Sequence, residues 1–552
     1  MHLTGGEALA HQLVRERVTD IFGVPGVQLD FAIDGLAKAG EGLTYRTTRH
    51  EQASSYMADG YARTTGKVGV CMVVPGPGLL NAMSGLATAY ACSSPVLCIC
   101  GQIPSAAIGQ GLGLLHEIRW QSHLLGTVTK WHGLASEPQA VPGLVREAFH
   151  QMRTGRPCPV GIEIPPDVLE AAGDARLVDS LDDSGARLVP DAGLLDRAAD
   201  LLRDARRPVI YAGWGVQAAD ATRELTGLAE TLQAPVVMSE HGRGALSDRH
   251  PLALTHLGGR AVLPHADVVL AVGTRFVTAQ GHPVWSTPGG RLVLLNAEAA
   301  HLGPPRTPDV GLLGDARLGL AGLADRLRPS TQRSSPREEL SKVRAWCDEQ
   351  IAAIEPQWSW VKALRAAIPD DGILITELTQ VSYLAQVAYP VYGPRTFITP
   401  GYQGTLGYGF ATGLGAAVGN PERAVVSITG DGGFGWNLQE LATARKYNIG
   451  LVTVVFNDRA FGNVKRAQQN RFGGRVLGTD LCNPDFVGLA RAFGIDATRA
   501  ATPEALEGAL RAALAAKGPA LIEVPVGEMP TAWHLLHDFL PSPRLVPPNP
   551  LD

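Results

Sequence analysis

The stretch Val425–Asn463, VVSITGDGGFGWNLQELATARKYNIGLVTVVFNDRAFGN, decides the fold of this chain. Its apolar, β-branched opening, Val425 to Thr429, reads as a buried parallel strand. Gly430-Asp431-Gly432-Gly433 follows and reads as a turn that glycines make easily. Asn437 to Tyr447 has helical spacing, with Leu438, Leu441 and Ala442 on one face and Glu440 and Arg445 off it. A second apolar run, Leu451 to Phe456, ends in Asn457-Asp458. The order is strand, glycine turn, helix, strand, acidic turn. In a parallel sheet both acidic turns lie at the carboxyl ends of strands, where open α/β sheets bind ligands. Asp431 and Asp458 can then meet. Two hard oxygen ligands beside glycine amides and a helix N-terminus fit a Mg²⁺ ion holding a diphosphate. A bare GDG is usually an ordinary turn, and the acidic turn one strand later is what argues for a site.

The chain has 552 residues, room for three or four domains at roughly 150 residues each. A hydrophobic fraction of 45% with 18% charged residues is that of a globular protein, and a formal net charge of -5 argues against a nucleic-acid binder. The 7 cysteines include no CxxC pair, and Cys98 and Cys100 in PVLCICG read as small packed hydrophobes. This cysteine usage fits a reducing cytoplasm. The N-terminal MHLTGGEALAHQLVRERV is amphipathic without a signal-peptide core, and no run of about 18 apolar residues suggests a membrane span.

From the N-terminus, helix and strand patterns alternate. Thr4 to Val18 reads as a helix, Leu43 to Thr47 as a strand, Ala53 to Thr64 as a helix, and Val68 to Val74 and Ser94 to Gly101 as strands. Residues 170 to 186 are acidic and read as a linker. A second alternating unit from Leu188 to about Arg328 has strands at Pro208–Ala212, Pro235–Met238, Val268–Val272 and Leu292–Leu295. Pro329 to Glu355 reads as a connector ending in a helix, followed by a third unit from Pro356 to Val526. The expected fold is α/β, with three doubly wound parallel-sheet domains over 1–170, 188–328 and 356–526 and a tail over 527–552.

The residues now support a resemblance. GDG followed 27 positions after its Asp by Asp458 is similar to the diphosphate–Mg²⁺ signature of thiamine diphosphate (ThDP) enzymes of the acetolactate synthase/2-oxoacid decarboxylase superfamily. RHEQASSYMADGYAR (49–63), IFGVPG (21–26), VPGPGLLN (74–81), VGTRF (272–276) and ITPGYQGTLG (398–407) resemble further stretches of that family. The resemblance implies Asp431 and Asp458 as Mg²⁺ side-chain ligands and the Ala460 carbonyl as a third. It implies Gly430, Gly432 and Gly433 around the diphosphate, Pro25, Gly26, Gly76 and Asn81 near the cofactor, and Gly404 as acceptor of its 4′-amino group. Leu406 would wedge the cofactor into a V shape. Glu51 would hydrogen-bond N1′ of the aminopyrimidine and promote formation of the C2 ylide. On helical position alone, Glu51 is also what a helix dipole favours in a first turn.

Within Ala107–Lys130, His116-Glu117 stand where acetolactate synthases would have Phe-Gln, so both are candidate catalytic residues, with His116 as proton carrier. Pro166 stands where those enzymes usually have lysine. The resemblance implies an FAD- or ADP-binding capacity in the central unit, but Asn296-Ala297-Glu298 and the short Thr255–Gly259 segment do not favour a required FAD. It also implies a homodimer or homotetramer with active sites between subunits. The function expected from the resemblance to the acetolactate synthase branch is carboligation, in preference to simple decarboxylation, of a pyruvate-like 2-oxo acid with a carbonyl acceptor, through ylide and enamine. A 2-hydroxyacyl-CoA lyase and a non-catalytic binding subunit are the alternatives. Replacing Glu51 by Gln is expected to lower steady-state turnover by about 10²–10⁴-fold, the contribution of a lost acid–base group.

Overall fold

A computed structural model of the chain describes residues 1–40, 42–180, 187–327, 333–536 and 545–552. Arg328, Pro329, part of the 527–552 tail and the end of the acidic linker, all named above, lie outside them. Three six-stranded parallel sheets flanked by helices carry the described chain. By contacts it divides into two compact units. The first is Met1–Gly185, Pro400–Arg499 and Ala513–Glu523; the second is Ala186–Thr399, Ala500–Ala512 and Val524–Asp552.

In the first unit, the N-terminal sheet has the order Thr44–Thr47, Asp20–Gly23, Gly69–Val73, Val96–Gly101, Val160–Ile164, Trp131–Leu134. Its central strands are buried on both faces, which is why they read as unbroken apolar runs. Cys98 and Cys100 are fully buried within one of them, as small hydrophobes. Glu51–Thr65 is a helix capped by His50, whose Nδ1 accepts from Gln52 N at 3.1 Å. The unit also holds the strands of the opening stretch, Val425–Gly430 and Leu451–Asn457, paired in parallel with Gly430 opposite Phe456. That register leaves Asp431 and Asp458 each one residue beyond the carboxyl end of its strand.

The glycine turn expected at Gly430–Gly433 is not a turn. Gly430 is extended, the helix starts at Asp431 and runs to Asn437, and none of the three glycines has positive φ. Their smallness serves close approach instead: a Cβ on Gly432 would stand 2.7 Å from the Phe461 ring. The expected single helix from Asn437 is broken in two, with a 3-10 turn at Leu438–Glu440 before a helix at Leu441–Lys446.

The tightest packing in this unit joins the Glu51–Thr65 helix to the glycine- and alanine-rich helix Tyr408–Gly419. A Cβ on Gly60 would lie 2.0 Å from the Thr412 carbonyl, and one on Gly415 1.9 Å from the Met57 carbonyl. The backbones touch because these residues have no side chain. Beside them the buried Arg63 donates to Tyr408 Oη at 2.7 Å and lies 3.8 Å from buried Asp59.

The second unit carries the central sheet, ordered Ala253–Thr255, Val236–Met238, Pro208–Ala212, Val268–Val272, Arg291–Asn296, Val310–Leu313. Four of its strands match the sequence reading. The two edge strands, of 3 and 4 residues, are too short to show a pattern. The described tail packs in this unit too. Trp533–Leu536 is a buried helical turn, Trp533 meets Tyr383 edge-on, the His534 carbonyl accepts from Arg260, and Asn549 Nδ2 donates to the Ala261 carbonyl. It is a strap on the second unit. The acidic linker is not wholly irregular, because Ala172–Asp174 pairs antiparallel with His2–Thr4, a strand pair with no apolar alternation to announce it. No helix among the described residues is long and apolar enough to cross a membrane.

Gly60→Val is expected to lower the thermal midpoint, since the added atoms meet backbone, an overpacking cost of about 1–3 kcal/mol or more. Gly143→Ala, in a helix with nothing within 4 Å of the new methyl, is expected to raise it through a gain of about 0.5–1 kcal/mol. Calorimetry on both variants checks the contrast.

Candidate active site

Two clusters stand at the ends of these elements. The first forms where the paired strands stop. Asp431 is buried, and its carboxylate and that of Asp458 lie within hydrogen-bonding reach of each other. Burial, followed by the charge of Asp431, pushes Asp458 up to about 6; burial also raises Asp431. Two crowded carboxylates withdrawn from water call for a cation. Asn483 Nδ2 donates to Asp431 Oδ2 at 2.6 Å and to Asn457 Oδ1 at 3.0 Å. Ala460 N donates to Asp458 Oδ1 at 3.1 Å. Ala460 also bridges Asp480. Two carboxylates are hard oxygen donors of the kind Mg²⁺ takes. A Cβ on Gly462 would sit 2.6 Å from Asp458 Oδ2, so a side chain there would displace that carboxylate.

The second cluster is built around the turn Val74–Gly78. Gly76 has φ +60, and a Cβ on it would lie 2.3 Å from the His116 carbonyl. Its N–H donates to Gln121 Oε1 at 2.8 Å; Gln121 Nε2 in turn donates to buried Glu163 at 2.9 Å and to the Gly101 carbonyl. Glu51, first residue of its helix, accepts from Asn81 Nδ2 at Oε2, 2.9 Å away, and its Oε1 lies 3.7 Å from where a Gly78 Cβ would stand. Glu51, Gly76, Asn81 and His116 are thus brought together. His116 is held at φ +65, a conformation uncommon for a non-glycine residue. Glu117 closes its own loop, accepting from Leu114 N at 2.9 Å.

Gly404 is left-handed, at φ +57, and Leu406 after it is half-buried. Lys465 is engaged with Asp480 at 2.6 Å and Arg466 is buried. Among the described residues no hydrogen bond or ion pair joins the carboxylate of Glu51 to those of Asp431 and Asp458.

Sequence reasoning passed over three residues. Asn483 lies 52 positions from the aspartate it braces and has no motif of its own. Gln121 opens a short helix, and its targets Gly101, Glu163 and Gly76 lie 20, 42 and 45 positions away. Glu440 was visible as an off-face helix residue, but it is fully buried, and its carboxylate accepts from Arg49 N at 3.0 and 3.1 Å and from Thr443. It therefore ties the helical segment after Asp431 to the backbone that delivers Glu51.

Comparisons with known proteins agree with this geometry. Family models match in three places: "Thiamine pyrophosphate enzyme, N-terminal TPP binding domain" over residues 3–123, "central domain" over 195–323 and "C-terminal TPP binding domain" over 378–524. The chain belongs to the thiamine pyrophosphate enzymes of the acetolactate synthase superfamily. It is 35% identical to a probable 2-ketoarginine decarboxylase of Pseudomonas aeruginosa, over 95% of this chain and 94% of that one. It is 33% identical to a probable acetolactate synthase large subunit of Methanococcus aeolicus (94% and 92%). It is 31% identical to the acetolactate synthase isozyme 3 large subunit of Escherichia coli K12 (93% and 92%). The protein is a ThDP-dependent enzyme acting on C–C bonds.

Burial raises Glu440 from 4.5 to about 7. The folded protein holds a proton there that the unfolded chain releases, so raising the pH through this interval costs stability. The thermal midpoint of the wild type is expected to fall relative to that of Glu440→Gln as the pH goes from 5 to 8, which parallel melting curves would read.

Proposed function

We propose that the protein decarboxylates a 2-oxo acid and that His116 delivers the proton that releases the product as an aldehyde. The observation that carries this is the position of His116, whose backbone carbonyl lies against Gly76 in the turn that also brings Gly78 beside Glu51, at a place where the resemblance would have Phe. Bound ThDP supplies the electron sink for loss of CO₂ from a 2-oxo acid. Asp431, Asp458 and the Ala460 carbonyl would hold Mg²⁺, with Gly430, Gly432 and Gly433 leaving the backbone open to the diphosphate. Glu51, braced by Asn81 at Oε2, keeps Oε1 for the pyrimidine nitrogen and holds or gives up a proton there. Gly404 and Leu406 would shape the cofactor's bend.

Residues 1–170 would bind the pyrimidine and 356–526 the diphosphate, with 188–328 as a central domain and 527–552 as a tail. Within one chain the two clusters share no contact between their carboxylates, so we assign the active site to a homodimer, or a dimer of dimers. Leu80, beside Asn81, and Trp436, on the Asp431 helix, are 47% and 55% exposed, which supports a second copy covering them.

The second reading is carboligation, favoured by the identity to acetolactate synthase large subunits. Incubating the enzyme with ThDP, Mg²⁺ and a panel of 2-oxo acids including pyruvate and 2-ketoarginine, with CO₂, aldehyde and hydroxyketone measured separately, decides between them. Aldehyde is expected as the main product, and His116→Gln is expected to lower its formation by about 10²–10⁴-fold. Hydroxyketone as the main product would instead establish the second reading.

A further inference from the structure

Gln28 lies in a short 3-10 turn, Val27–Leu29, directly after Gly26. It is a buried polar residue, 7% exposed, on the wall of the second cluster. Its amide spans two consecutive residues of the loop that carries His116. Nε2 donates to the Leu115 carbonyl at 3.2 Å, and Oε1 lies 3.1 Å from His116 Nδ1.

These two contacts fix each other. A backbone carbonyl only accepts, so the amide end facing Leu115 is the NH₂ group. The other end is then the oxygen, which also only accepts. His116 Nδ1 must therefore carry a hydrogen to bond with it. In the neutral ring that leaves Nε2 bare, as the acceptor. The same clamp pins the Leu115 carbonyl immediately before a residue held at φ +65, and the Gly76 backbone lies against the His116 carbonyl on the other side. Ring orientation and proton position are thus set by one side chain and one backbone contact.

We propose that Gln28 is a positioning residue that holds His116 in the Nδ1-protonated tautomer, so that Nε2 is the atom that takes a proton from solvent and passes it to the product carbon after CO₂ has left. The proton balance is simple. Nε2 gains one proton to give the imidazolium, whose Nδ1–H stays on Gln28 Oε1, and loses it to the carbon. This rests on the proton-transfer role of His116 given above, but the tautomer can be read without turnover.

The test uses the full-length protein labelled with ¹⁵N-histidine, in which the ring signals absent from His116→Gln identify His116. The expected result in the wild type is a protonated Nδ1 and an unprotonated Nε2. Gln28→Leu, which can neither accept from Nδ1 nor donate to Leu115, is expected to lose that preference and about 10–100-fold in kcat, with KM changed less. Gln28→Glu keeps an acceptor for Nδ1–H and is expected to retain the tautomer and most of kcat. A wild-type ring protonated at Nε2 overturns the proposal, as does a Gln28→Leu protein with unchanged tautomer and kcat. If His116→Gln keeps full kcat while the wild-type ring is protonated at Nδ1, the positioning by Gln28 stands and the role of His116 in turnover fails.

Discussion

The first unit depends on a contact between two backbones. The Glu51–Thr65 and Tyr408–Gly419 helices cross with carbonyls where a Cβ would be, at Gly60 and Gly415. Such an approach gives up side-chain burial in exchange for rigid backbone contact. It holds the helix that begins with Glu51 against the segment that leads into the Val425 strand. Glu440 reinforces it from the other side, accepting from Arg49 N two residues before Glu51. The helix start carrying the Glu51 carboxylate is therefore placed by two contacts remote from it in sequence, one of packing and one of hydrogen bonding.

The two clusters differ in their electrostatics. At Asp431 and Asp458 the fold stores like charge, burying two carboxylates side by side and raising both. That arrangement is costly without a cation and favourable with one. At Glu51 the carboxylate is partly open and braced at one oxygen only, so the other remains free to exchange a proton. The proposed roles, metal binding at the first cluster and proton transfer at the second, call for these opposite treatments of the same functional group. Asn483, which occupies one oxygen of Asp431, and Asn81, which occupies one oxygen of Glu51, play parallel parts as amide braces.

Much of this was legible in the chain. The opening stretch yields its two strands and two acidic ends because a parallel strand buried on both faces must be apolar throughout, and because its carboxyl end is where polar residues return. The GDG segment was misread locally. Its glycines suggested a turn, whereas they lie in extended and helical backbone, and Gly432 leaves room for the Phe461 ring. Short edge strands and the pairing of Ala172–Asp174 with the N-terminus gave no signal, since three residues cannot display a period.

What the sequence determined by itself is the α/β class, the strand ends that carry Asp431 and Asp458, and the helix start that carries Glu51, because each depends on local pattern and on residue types within a few positions. Only the tertiary structure decided what braces them. Asn483 on Asp431, Gln121 on Gly76, Glu440 on Arg49 and Gln28 on His116 are all uncharged or buried partners 45 to 391 positions away in the chain. A hydrogen bond needs atoms within about 3 Å, and no spacing in a linear sequence states that distance.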